Sequence, residues 1–204
     1  MSITYIIIII TALASVTAFQ SSELMDRWIM RPYDVKYRNQ WYRFITSGFI
    51  HANWSHLIIN MLVFYSFAIV VYQYYAYYFV TRAVFYFIML YLGGMIIADV
   101  PTYYQHREHS WYASLGASGA VSAVTFASVL IEPRSMIYLM GIVPLPAIIW
   151  AVGYLVYSQY MARRGGDNIN HSAHIYGALF GLIYTLALRP EFAVDFVHKL
   201  ISQY

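Results

Sequence analysis

Residues 110–131 read SWYASLGASGAVSAVTFASVLI, with Gly116-Ala117-Ser118-Gly119 at the head of the apolar part. The stretch carries no Asp, Glu, Lys or Arg. Its length matches the roughly 20 residues that cross a hydrocarbon core. Gly119, Ala123 and Ala127 fall at i, i+4 and i+8, a stripe of small residues that lets helix backbones approach closely in lipid. A hydroxyl such as Ser118 is costly in an apolar span and is a functional candidate by default. Taken alone, the stretch still reads best as a packing helix whose serine is merely small.

The rest of the chain repeats the pattern. Uncharged runs also cover 1–22, 57–81, 83–98, 135–162 and 168–188, counting His as neutral. Of 204 residues, 61% are apolar and 10% charged, about twice the apolar-to-charged balance of an ordinary soluble domain. We therefore expect an all-α membrane protein, one domain over 1–204, with six transmembrane helices near 2–19, 56–76, 82–98, 115–131, 144–161 and 170–188. The short third run can be lengthened if Arg82 snorkels to the interface. No Lys or Arg precedes the first run, and it is longer than a signal core, so it reads as a retained helix. There is no cysteine, which removes disulfides and thiolate chemistry. A net charge of +3 without a basic run argues against nucleic acid as a partner. The 22 tyrosines and five tryptophans suit interfacial belts.

The longest connection, 20–55, holds Arg27, Arg31, Lys36, Arg38 and Arg43, five of the twelve basic residues, among Trp28, Trp41, Tyr42, Phe44, Phe49 and Trp54. Its aromatic content argues for an ordered element lying in the membrane interface. The segment 99–109 reads as a polar connection and 132–134 as a turn. Pro144 and Pro146 mark the start of the fifth helix, with 135–143 as lead-in. Residues 163–168 read as a flexible loop, and the tail after Arg189 has room for a short interfacial helix.

His174 changes the meaning of Ser118. Gly177 and Gly181 follow it at i+3 and i+7, on one helical face. Two small-residue faces would bring imidazole and hydroxyl within hydrogen-bond reach, the minimum equipment for acyl transfer. His56 and Asn60, at i and i+4, share a face of the second span and both donate hydrogen bonds, as an oxyanion site requires. His51 reads as a tether for the long loop.

In these contexts the chain resembles the rhomboid family of intramembrane serine proteases. The matching stretches are Tyr42-Arg43 with His51, the His56-x-x-x-Asn60 pair, Gly116-Ala117-Ser118-Gly119, Pro144-Leu145-Pro146-Ala147, and His171-Ser172-Ala173-His174 with Gly177 and Gly181. The resemblance implies a six-span bundle in which Ser118 is the nucleophile and His174 its general base, without an orienting carboxylate. It makes His56, Asn60 and the Ser118 backbone N–H the oxyanion donors. It leaves Gly116, Gly119, Gly177, Gly181, Arg43 and His51 in structural support, and calls for no cofactor and no metal. A polar cavity would supply water, capped by the 163–168 loop. The implied substrates are single-pass membrane proteins. A compact core suits a bacterial inner membrane.

One departure bears on mechanism. The residue four after the serine is often aromatic in the family and stacks on the imidazole; here it is Ser122. Another contact must orient the ring, with the many tyrosines as candidates. Orientation is a second point of conflict. The family topology puts both termini in the cytoplasm, leaving Arg82, Arg134, Arg189 and Lys199 inside and eight basic residues outside, against the positive-inside rule. Two other functions compete: an inactive relative that binds membrane clients, and a transporter or metal carrier using His51, His56, His171 and His174. The first is disfavoured because both Ser118 and His174 are present, the second because intramembrane carboxylates and an inverted repeat are missing.

Overall fold

A computed structural model describes residues 3–139, 143–166 and 169–201. Five long helices dominate: α1 (Ile3–Gln20), α5 (Trp54–Phe79), α6 (Ala83–His106), α8 (Ala147–Arg164) and α9 (His171–Leu188), around the shorter α7 (Ser118–Ile131). Three short helices, α2 (Ser22–Trp28), α3 (Pro32–Arg38) and α4 (Arg43–Thr46), order the connection between α1 and α5, and α10 (Glu191–Ile201) follows α9.

The chain doubles back between α5 and α6 at Val80, whose φ of 43° breaks the helix. Ring contacts seal the hairpin, Tyr72 on Phe87 at 5.8 Å and Phe64 on Tyr91 at 5.1 Å. Among the described residues, two helical stretches are long and apolar enough to cross a membrane, Ile3–Gln20 and the doubled-back Trp54–His106. The pair α9 and α10, bent by 110°, makes a third if counted as one span.

The centre of the bundle is α7. Every residue from Gly119 to Ile131 is buried, because α5, α6 and α9 all pack on it. At 14 residues it is only about 21 Å long. The expected span from 115 therefore becomes helical only at Ser118. The preceding chain is held extended instead: Met30 and Ser114 exchange backbone hydrogen bonds of 2.9 and 3.0 Å, and Gly116 donates to the Ser47 carbonyl at 2.9 Å.

Two expectations are corrected. The segment 99–109 is not a connection up to its end, because α6 runs on through Asp99 and Pro101 to His106. Proline forfeits one backbone donor, and the surrounding helical ladder carries the chain past it. The lead-in 135–143 is not an approach to a helix alone. Met136–Leu139 (β1) and Val143–Pro146 (β2) pair antiparallel, Met136 opposite Pro146 and Leu139 opposite Val143, so the all-α expectation gains one hairpin. In a two-stranded sheet both strands are edges, where proline is tolerated. Residues 140–142 of that lead-in lie outside the described residues.

Helix α8 is lightly seated. It buries only Ala147, Ala151 and Ser158, with exposed Ile149, Val152, Val156 and Tyr157. Helix α10 is anchored by buried Phe192 and by Lys199, which donates to the Ile131 carbonyl and the Glu132 carboxylate at 2.8 Å each.

Candidate active site

A cavity of about 1050 Å³ is lined by Ser118, His174, His56 and Asn60 together, with Ser122, Trp150, Tyr154, Tyr112 and Asn170. Four residues from three helices, singled out by spacing and polarity, thus share one space.

Ser118 is the first helical residue of α7. The first N–H groups of a helix have no intrahelical partner, and the helix dipole favours negative charge there. The approach to this turn is tightly specified. Gly116 has φ of 121°, a left-handed conformation open to glycine. A methyl there would also meet the His56 ring at 2.6 Å.

His51 is fully buried and joins three parts of the site. Ser15 of α1 donates its hydroxyl hydrogen to the Phe49 carbonyl at 3.0 Å, so its oxygen accepts from His51 Nδ1 at 2.9 Å. That leaves His51 Nε2 unprotonated to accept the Ala117 N–H at 3.4 Å. The tautomer follows from the single Ser15 hydrogen. Burial, with the neighbouring His56 as a lesser cause, pushes the His51 imidazole down to about 3, so it stays neutral as this network requires. Its ring stands edge-on to His56 at 4.9 Å. His51 therefore tethers the residue before Ser118 as well as the long loop.

His56 lies in the first turn of α5, its backbone N–H capped by the Asn53 side chain at 2.9 Å. Asn60 is buried and donates one amide hydrogen to the His56 carbonyl at 2.9 Å. An amide has two such hydrogens.

His174 lies one turn into α9. Asn170 caps this helix, accepting from the Ala173 N–H at 3.1 Å and donating to Thr102 of α6 at 2.8 Å. The glycines set the distance to α7. A methyl at Gly177 would run into the Gly119 carbonyl oxygen, and one at Gly181 into that of Ala123. The His174 ring lies nearly parallel to Tyr154, centroids 5.8 Å apart at 22°, and edge-on to His171 at 5.7 Å.

A family model of the rhomboid domain matches residues 38–191. The chain belongs to the rhomboid family. It is 28% identical over 160 residues to RHOMBOID-like protein 12, mitochondrial, of Arabidopsis thaliana, covering 71% of this chain and 46% of that protein. Identity to the putative rhomboid protease YdcA of Bacillus subtilis is 28% over 144 residues, 71% of this chain and 65% of YdcA. Presenilin-associated rhomboid-like protein A, mitochondrial, of Danio rerio is 29% identical over 146 residues, 69% of this chain and 36% of that protein. The chain spans about half the length of the RHOMBOID-like protein 12 it matches and about the same share of a chloroplastic relative, Rhomboid-like protein 11 of Arabidopsis thaliana, 27% identical over 169 residues. As a rhomboid with long apolar helices it is an integral membrane protein.

Two residues of this rhomboid site escaped sequence reasoning. Asp99, expected in a polar connection, lines a small cavity of about 20 Å³ beside Ser118, with Ser114 and Asn170. That is room for one water. The extra turns of α6 put it there, together with Thr102, which is buried three residues on and bonded to Asn170. Tyr154 is the other. It was one tyrosine among 22, on a helix with no period tying it to His174. The loop expected over 163–168 to cap the cavity begins only at Gly165, since Arg163 and Arg164 are the last turn of α8; Asp167 and Asn168 lie outside the described residues. Among the described residues no three His, Asp or Glu side chains converge as a metal site.

Proposed function

We propose that this rhomboid is an intramembrane serine endopeptidase that cleaves transmembrane segments of single-pass membrane proteins. The observation that carries the proposal is the single cavity lined by Ser118, His174, His56 and Asn60. Ser118 Oγ attacks the scissile carbonyl while His174 takes its proton. The carbonyl oxygen becomes an oxyanion, stabilised by His56, Asn60 and the Ser118 N–H at the N-terminus of α7. The intermediate collapses, the C–N bond breaks and His174 returns the proton to the leaving amine. Water, activated by the same imidazole, hydrolyses the acyl-serine and regenerates the hydroxyl.

In this reading α1, α5, α6, α7, α8 and α9 are the six spans of one domain, and the ordered segment between α1 and α5 lies in the interface. Both termini face the cytoplasm. Four of the five basic residues in that segment pair with acids: Arg31 with Asp26, Lys36 with Glu108, and Arg38 and Arg43 with Asp34. Of these four only Arg43 is buried and so bound into the fold; the non-cytoplasmic placement of the segment rests on the family topology. A reporter tag at 165–166 should map to the non-cytoplasmic side. We propose a bacterial inner membrane as its location, in keeping with the relative from Bacillus subtilis.

A helical substrate must unwind before its carbonyl can be attacked. Substrates with Gly or Pro near the site and a small residue before the cut should therefore be favoured, and leucine there should block cleavage.

The deciding experiment reconstitutes wild type, Ser118→Ala and His174→Ala with a tagged single-pass substrate. Both variants should lose cleavage by about 10³-fold or more. Wild-type rates in either would overturn the dyad. A client-binding protein would hold the substrate without cleaving it even as wild type.

A further inference from the structure

The ring of His174 is held from a helix that carries neither member of the proposed dyad. Tyr154 of α8 lies against its face, 5.8 Å between centroids and 22° between planes. That is the offset-stacked range for aromatic pairs. The tyrosine hydroxyl is in turn hydrogen-bonded to Ser122 of α7 at 3.1 Å, and its ring packs on Phe126 of α7 at 6.1 Å. Residue 122 is one turn below Ser118 on the same helix. Its small side chain leaves space for a ring from elsewhere and supplies the hydroxyl that receives it. The series continues through Trp150, stacked on Tyr154 at 5.0 Å and 12°, to Phe67 of α5 at 6.0 Å.

Helix α8 is otherwise weakly attached, with three buried residues in eighteen. Trp150 and Tyr154 are also walls of the cavity. Any shift of α8 that widens the cavity therefore draws Tyr154 away from the imidazole.

We propose that Tyr154, docked on Ser122, is the positioning residue for His174, and that the seating of α8 against α7 thereby sets whether the dyad is aligned. The proposal rests on His174 being the general base. With α8 seated, the imidazole is fixed for proton transfer. With α8 displaced, substrate has more room but the base is loose. Cleavage then requires α8 to close again after a segment has entered, which makes this helix a coupling between occupancy and chemistry.

The test uses the full chain in detergent and two readouts: the rate at which a fluorophosphonate labels Ser118, and kcat and KM on a tagged single-pass substrate. Tyr154→Leu should slow labelling and lower kcat by about tenfold to a hundredfold, the range for a misplaced catalytic group. KM should change by less than about threefold, since binding is not what is lost. Tyr154→Phe keeps the ring and should stay within about threefold of wild type, because stacking carries most of the effect. The acidic limb of the labelling–pH profile, along which His174 must lose its proton to act as base, should move in Tyr154→Leu and not in Tyr154→Phe. Wild-type labelling by Tyr154→Leu, or a loss confined to KM, overturns the assignment.

The coupling has its own variant. Ala151 is buried where α8 meets Phe126 and Ala178. Ala151→Leu should wedge α8 outward and slow labelling in the wild-type background, with no further slowing in Tyr154→Leu. Additive effects would mean that α8 does not act through Tyr154. If Ser118→Ala or His174→Ala cleaves normally, the dyad itself is wrong. If both are inactive and Tyr154→Leu is normal, this inference alone falls.

Discussion

Gly177 of α9 faces the backbone carbonyl of Gly119 of α7 with no room for a methyl group between them. Gly181 stands in the same relation to the Ala123 carbonyl one turn on. These contacts bring the helix of His174 against the helix of Ser118. Alanine at either glycine should destabilise the protein, although alanine is the better helix former. The propensity gain is about 1 kcal/mol. Forcing a methyl into rigid backbone costs about 1–3 kcal/mol, and both helices would have to part. Overpacking wins, so Gly177→Ala and Gly181→Ala should each unfold at lower temperature and label more slowly at Ser118. Melting curves at or above wild type would show that the interface yields.

That interface was legible in the sequence, because glycine spacing at i+3 and i+7 and a small-residue stripe are local patterns. The same holds for the face of α5 that carries His56 and Asn60. Where charge was the only guide, the boundary failed. Asp99 ended an uncharged run, yet α6 continues past it, since a carboxyl beside a water-sized cavity is compatible with a buried helix. The β1–β2 hairpin was hidden by two prolines that signal a helix start equally well. Tyr154 was hidden for a different reason. Its contact with His174 joins two different helices, α8 and α9, and no local period encodes it.

His51 should make stability depend on pH. Its imidazole is held at about 3 in the fold against an ordinary value of 6.5. Between these values the unfolded chain binds the proton and the folded chain does not. Stability is therefore complete above about pH 6.5 and falls as pH drops toward 3. The limit is about 1.4 kcal/mol per pH unit from this residue. Denaturation profiles of wild type and His51→Gln should converge toward pH 4.5, the wild type losing its advantage. Parallel profiles would mean that His51 takes up its proton within the fold.

Arg43 should resist even conservative replacement. Its guanidinium, 4% exposed, donates to the Gln40 side chain at 2.7 Å and to the Asp26 and Ile29 carbonyls at 2.8 and 2.5 Å, and lies 3.6 Å from Asp34. These bonds close the α2–α4 segment on itself. A lysine has one point of donation where arginine has a planar fork. Arg43→Lys should cost about 2–3 kcal/mol, the scale of buried acceptors left unpaired. Limited proteolysis should find new cuts within 21–42 while the long helices stay intact. An unchanged digestion pattern would show that the segment is held by its aromatic contacts instead.

Gly116 offers a test of the proposed oxyanion side that leaves every candidate catalytic residue in place. Its backbone, at φ 121°, turns the chain from the extended pairing with Met30 and Ser47 into the first turn of α7. The His56 ring occupies the space where a side chain would be. Alanine there is strained whatever room is made, at about 1–3 kcal/mol, and it also presses on His56. Strain alone would lower stability and leave the surviving folded enzyme at full rate. Displacement of His56 would remove an oxyanion donor, worth about 10²–10³-fold in kcat. Gly116→Ala, assayed well below its melting temperature, should show a kcat loss of that order with KM nearly unchanged. Comparison with His56→Ala decides the cause. If the two variants lose rate alike and the double variant loses no more, the glycine acts by giving the His56 ring its place. A fully additive double variant would instead assign the loss to the backbone of Ser118.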